Sequence, residues 1–74
     1  MLEEKEIIKI LSKALNTKLS SKSNDKNVKK WDSLGQLQIL ATLDKHTKGK
    51  SSKIKGLDTA SSVSQIIKLL KKNL

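Results

Sequence analysis

"KKWDSLGQLQIL", residues 29–40, is the stretch on which the reading of this chain turns. It holds the only tryptophan, Trp31, then Asp32 and Ser33, and then an apolar run beginning at Leu34. The pattern predicts a helix from Ser33 to about His46, ending before Gly49. Ser33 with Gln36 fits a capping box, so on pattern alone Ser33 is the helix cap. Asp32 can cap in its place, which leaves the Ser33 hydroxyl free to point outward.

This helix carries apolar residues on two sides. With Leu34 at zero and 100° per residue, Leu37 and Ala41 fall at about 300° and 340°, whereas Ile39, Leu40 and Leu43 fall at about 140°, 240° and 180°. One stripe can face the core of a small bundle; the other needs a second use, such as a protein-docking surface or the mouth of a lipophilic cavity. The plain alternative is a central helix surrounded on all sides.

Upstream, residues 3–15 read as an amphipathic helix, with Ile7, Ile8, Leu11, Ala14 and Leu15 on one face and Glu3, Glu4 and Glu6 in the first turn, where the helix dipole favours acids. From Asn16 to Lys30 the chain is polar, and only Leu19 and Val28 offer anchors, so this is a long connection. Downstream, "SSKIKGLD" offers Ile54 and Leu57, enough for one short helical turn. A last helix starts where Ser62 and Gln65 form a capping box, and it buries Val63, Ile66, Ile67 and Leu70. There is no proline and no alternation long enough for a strand. The expected fold is all-α, a small four-helix bundle of three main helices and one short one, forming a single domain over residues 1–74.

Composition narrows the chemistry. Seventy-four residues without cysteine leave no disulfide framework, thiolate metal site or cysteine nucleophile. The apolar runs fall far short of the roughly 20 residues that span a bilayer, and the acidic start is unlike a signal peptide. The chain therefore reads as soluble and cytoplasmic, without a transmembrane segment. All sixteen basic residues are lysines, and the net charge is +9. That balance invites a nucleic-acid or anionic-membrane partner. Without arginine for bidentate readout, and with one aromatic residue for stacking, a solvated lysine-rich surface is the simpler reading, and no nucleic acid is expected.

Catalysis by Ser33 has little support, since a serine nucleophile needs an oriented general base. His46, the only histidine, lies about 20 Å along the same helix at 1.5 Å per residue. It reads instead as a solvated residue near a helix C-terminus. Ser33 can also be an acceptor modified by another enzyme. At a helix N-terminus an attached phosphodiester meets free backbone N–H groups and a favourable dipole.

"WDSLGQLQIL", with Asp32, Ser33 and Leu34 opening a helix after a long polar loop, resembles the acyl carrier protein and peptidyl carrier protein family. The tail "IKGLDTASSVSQIIKLL" resembles that family's third- and fourth-helix segment, and the resemblance covers nearly the whole chain. It implies that Ser33 is where a phosphopantetheinyl transferase attaches 4′-phosphopantetheine from coenzyme A, with Asp32 and Leu34 completing the attachment motif. The terminal thiol of that arm would carry acyl or aminoacyl groups as thioesters, supplying the sulfur this chain lacks. The resemblance further implies a non-enzyme, a monomer, and a docking helix on which Leu34, Leu37, Gln38, Ala41 and Lys45 meet partner enzymes. Ile39, Leu40 and Leu43, with Ile7, Leu11, Val63, Ile66 and Leu70, would line the core and any acyl pocket. Trp31 is expected to pack at the base of the loop.

The chain departs from the acidic fatty-acid carriers: Gln36, Gln38 and Lys45 stand on the docking helix, with Asp32 and Asp44 as the nearby acids. This points to a specialised carrier in fatty-acid, polyketide or related biosynthesis, with a dedicated acyl or aminoacyl ligase and acyltransferase-type partners, or to an organism with lysine-rich proteins. Gly35 costs about 1 kcal/mol against alanine inside a helix, and it is expected to let a partner or the arm approach the backbone. Two competing readings are a basic helical module binding nucleic acid or anionic membrane, and a carrier-like adaptor that lacks the arm.

Overall fold

The computed structural model describes residues 3–74. Its elements are α1 (Glu4–Leu15), α2 (Ser33–His46), two short 3₁₀ turns at Lys50–Lys53 and Leu57–Thr59, and α3 (Val63–Asn73). The apolar spacing of the three α-helices builds one core. It contains Ile7, Ile10, Leu11 and Leu15 of α1, Ile39 and Leu43 of α2, and Val63, Ile66, Ile67 and Leu70 of α3. α1 packs most extensively on α2 and also contacts α3, while α2 is flanked by both 3₁₀ turns. The radius of gyration, 10.8 Å, is close to the roughly 11 Å of a folded chain of this length.

The α1 face sits slightly differently from expectation. Ile10 is buried, whereas Ile8 and Ala14 lie half-buried against the core. Ile7, Leu11 and Leu15 define the stripe, and Ile10 widens it on one side. Glu3 is the N-cap rather than the first helical residue. α1 stops at Asn16, whose φ of 52° is the left-handed conformation that ends helices and that asparagine tolerates.

The polar connection over residues 16–30 is held down on both sides. Leu19 is buried and Val28 packs against the core. Ser12 Oγ accepts the Leu19 amide at 3.1 Å while donating to the Ile8 carbonyl at 2.7 Å. Farther on, Asn24 forms an isolated antiparallel bridge with Ser62. Asp25 N donates to Ser61 O at 2.9 Å, and Val63 N donates to Ser23 O at 3.0 Å. The loop is thus strapped to the start of α3.

The expected single short helix around Ile54 and Leu57 is instead two 3₁₀ turns with a break between them. Gly49 and Gly56 precede the turns at φ 87° and 89°, backbone that glycine adopts without cost. Because Ile54 is extended and Gly56 left-handed, no α-helical turn runs through Ile54–Leu57; both side chains are buried all the same. Thr47 ties the first turn to α2, donating to the Leu43 carbonyl at 2.8 Å and accepting the Ser51 amide at 2.9 Å.

Candidate functional site

The first turn of α2 settles which side chain caps the helix. Asp32 is the N-cap, and its Oδ1 accepts the Gly35 amide at 2.8 Å. Ser33 is therefore the first helical residue and not the cap suggested by the Ser33/Gln36 pattern. An aspartate cap accepts from the third helical residue as a serine would, and its carboxylate also suits the dipole. The backbone carbonyl of Asp32 takes the Gln36 amide at 2.8 Å. Of the four amides at this end that a helix itself cannot satisfy, that of Gly35 is taken by the cap, and those of Ser33 and Leu34 lie in the first turn beside the Ser33 hydroxyl. Ser33 is exposed beside them.

Gln36 closes no capping box either. Its Oε1 accepts the Trp31 Nε1–H at 2.7 Å, and its Nε2 donates to the carbonyls of Asp58 and Ala60, each at 3.0 Å. Trp31 is buried at the end of the loop, as expected from its being the lone tryptophan of a small core. One amide side chain therefore joins the loop before Ser33, the helix carrying Ser33 and the second 3₁₀ turn.

Gly35 corrects a further expectation. It is buried, and a Cβ placed on it would overlap the backbone carbonyl oxygen of Lys30 and lie 3.0 Å from Leu15 Cδ2. The chain that approaches this glycine is the protein's own loop, which leaves no room there for a partner or an arm. The Lys30 side chain turns back across the same corner, with Nζ 2.9 Å from the Asn16 carbonyl.

The two stripes of α2 separate cleanly. Ile39 and Leu43 are fully buried and Leu40 is half-buried, while Leu34 and Leu37 are 64% and 63% exposed. Gln38, Ala41 and Lys45 are exposed as well, and with the two leucines they follow the three- and four-residue spacing of one helix side. The apolar stripe next to Ser33 faces solvent and does not occupy the centre of a bundle. His46 is exposed at the far end of the helix.

Shallow grooves flank this stripe. One, beside Ser33, is lined by Asp25, Asp32, Gln36, Leu37, Asp58 and Ser61 among others. The next, along Leu37, Leu40 and Ala41, carries Asp44 and Asp58 with Lys53 and Lys55 on its far wall. Three of the four aspartates of a chain with net charge +9 thus border Ser33, and the fourth, Asp44, lies farther along the same helix. Sequence reading counted only Asp32 and Asp44 here. Asp25 and Asp58 arrive through the loop strap and the second turn, contacts made across the chain that leave no local pattern. Among the described residues, no group of histidines, cysteines or acids could hold a metal ion, and no helix is long and apolar enough to cross a membrane.

Compared with known proteins, the chain matches no family model, no curated protein and no solved structure.

Proposed function

We propose that this chain is a carrier protein whose Ser33 accepts 4′-phosphopantetheine and presents acyl or aminoacyl groups as thioesters to partner enzymes. The observation that carries this reading is the division of labour at the start of α2: Asp32 takes the cap, and Ser33 stands exposed as the first helical residue. A phosphodiester on Ser33 would meet the amides of Ser33 and Leu34 and the positive end of the helix dipole. The chain itself supplies the acceptor hydroxyl, the anion-tolerant position and the exposed stripe of Leu34, Leu37 and Ala41. When bound, the arm supplies a terminal thiol, which no residue of the chain offers.

The partners in this reading are a phosphopantetheinyl transferase, an acyl or aminoacyl ligase, and acyltransferase-type enzymes that dock on the α2 stripe. The aspartates around Ser33 favour partners with basic rims at that point, whatever the charge of the rest of the molecule. They also disfavour nucleic acid at this face.

The test is the intact mass before and after incubation with coenzyme A and a permissive transferase. The parent gains one phosphopantetheine group and Ser33→Ala gains none. A parent that stays unmodified beside a working control removes the carrier reading and leaves an adaptor with an aspartate-capped helix.

A further inference from the structure

Residues 45–55 hold five lysines, and the sequence carries no acid between Asp44 and Asp58. The fold turns all five outward. Thr47, Ser51 and Ile54 take the buried positions of this segment, while Lys45, Lys48, Lys50, Lys53 and Lys55 are exposed. The Ser51 amide donates to the Thr47 hydroxyl at 2.9 Å, the Gly49 amide to the Asp44 carbonyl at 2.8 Å, and Ser52 Oγ to the Gly49 carbonyl at 2.8 Å. The lysines therefore project from a bonded turn and not from a loose loop. Lys48 has φ 55°, a left-handed conformation in which backbone preference alone would put glycine or asparagine.

This basic end lies at the far end of α2 from Ser33. The helix separates them by about 20 Å at 1.5 Å per residue, and Asp25, Asp32 and Asp58 line the groove at the Ser33 end. That length is about two screening lengths of 8–10 Å at ordinary salt, so an anion at the basic end is little repelled by those aspartates. Glu4 of α1 shares its groove with Lys68 and Lys71 of α3, away from this segment.

We infer that the lysine end of α2, with the first 3₁₀ turn, rests on an anionic membrane surface and holds the chain there by charge, with Ser33 turned away from the lipid. The inference goes beyond the carrier reading and does not depend on it. A plane can touch one end of a molecule measuring 28 × 22 × 18 Å and leave the aspartates clear, whereas a nucleic-acid duplex lying along it meets them. Lysine is a compact point charge suited to the diffuse charge of headgroups. The segment has no arginine for bidentate readout and no aromatic residue for stacking. Near such a surface each lysine adds about fivefold to partitioning.

The test is sedimentation of the chain, unmodified at Ser33, with vesicles of phosphatidylcholine alone or with about one-third anionic phosphatidylglycerol. The parent binds the anionic vesicles only, and salt at about 1 M, where the screening length falls to about 3 Å, releases it. K48Q/K50Q/K53Q removes three charges from the basic end. K5Q/K9Q/K13Q removes three from exposed positions on α1, so the two variants have the same net charge. Circular dichroism checks that both are folded. The first loses binding about tenfold or more, and the second stays within about threefold of the parent. Equal losses in the two would mean that charge acts without a preferred face, and would overturn the inference. So would a parent that ignores the anionic vesicles, stays bound at high salt, or leaves them for a DNA duplex at equal phosphate concentration. No arm is present in these experiments, so none of their outcomes alters the mass test of Ser33.

Discussion

At the scale of single residues, one missing methyl group governs how α2 begins. Glycine inside a helix is ordinarily a weak point that alanine repairs by about 1 kcal/mol. Here the Lys30 carbonyl occupies the space of a Cβ on Gly35, and a backbone carbonyl cannot swing aside as a flexible side chain can. Gly35→Ala is therefore expected to destabilise the protein by about 1–3 kcal/mol in urea denaturation, opposite in sign to helix propensity. A stabilised variant would mean that the loop yields. The neighbouring pair gives a second contrast. Asp32→Ala removes the cap at Gly35 and should cost about 1 kcal/mol. Ser33→Ala touches an exposed position and should change stability by less than about 0.5 kcal/mol. Equal losses at the two positions would assign capping to the serine after all.

At the scale of elements, α2 works with two faces that serve different ends. Leu43 is fully buried, and its truncation to alanine should cost about 2–5 kcal/mol. Leu34 and Leu37 each leave more than half of their surface in water, so the double change to serine should move the denaturation midpoint little and should improve solubility rather than impair folding. Thermal denaturation of the three proteins side by side checks this. The division was legible in the sequence, because a period of 3.6 residues fixes which positions share a side whatever the helix later packs against. The same holds for the bounds of α2 and the apolar face of α3. The segment between them was less legible: Ile54 and Leu57 were rightly read as inward, but Gly49 before the first turn and Gly56 between the two residues act through backbone conformation, which apolar spacing does not encode. Gln36 was hidden for another reason. A glutamine three residues after a serine is what a capping box looks like, and only the folded chain brings the Asp58 and Ala60 carbonyls within its reach. Ser62 and Gln65 show the same limit in milder form. Ser62 does cap α3, accepting the Gln65 amide at 3.1 Å, but Gln65 reaches back to the amide of Ser61 instead of Ser62.

At the scale of the whole molecule, the net charge of +9 describes the surface poorly where it matters. Three of the four aspartates, Asp25, Asp32 and Asp58, line the groove at the Ser33 end of α2 although lysines outnumber all acids by more than two to one. An encounter with a charged partner is therefore decided by which side of the molecule leads, since fields from exposed charges fade within about 8–10 Å at ordinary salt.

The bridge between Asn24 and Ser62 has a topological meaning as well. The two residues stand opposite each other between the paired backbone bonds of residues 23–25 and 61–63, the close, non-hydrogen-bonded kind of pair with Cα atoms about 4.5 Å apart. That spacing suits a disulfide, and the chain has no native cysteine to compete in pairing. Cysteines at both positions would close a covalent ring around α2 and both 3₁₀ turns. A ring of about 38 residues removes about 4 kcal/mol of unfolded-chain entropy, while the lost Ser62 cap and the lost Asn24 turn bonds weaken the oxidised and reduced forms alike. Oxidised N24C/S62C should accordingly melt well above its own reduced form, with α2 and Ser33 held inside one closed loop of chain.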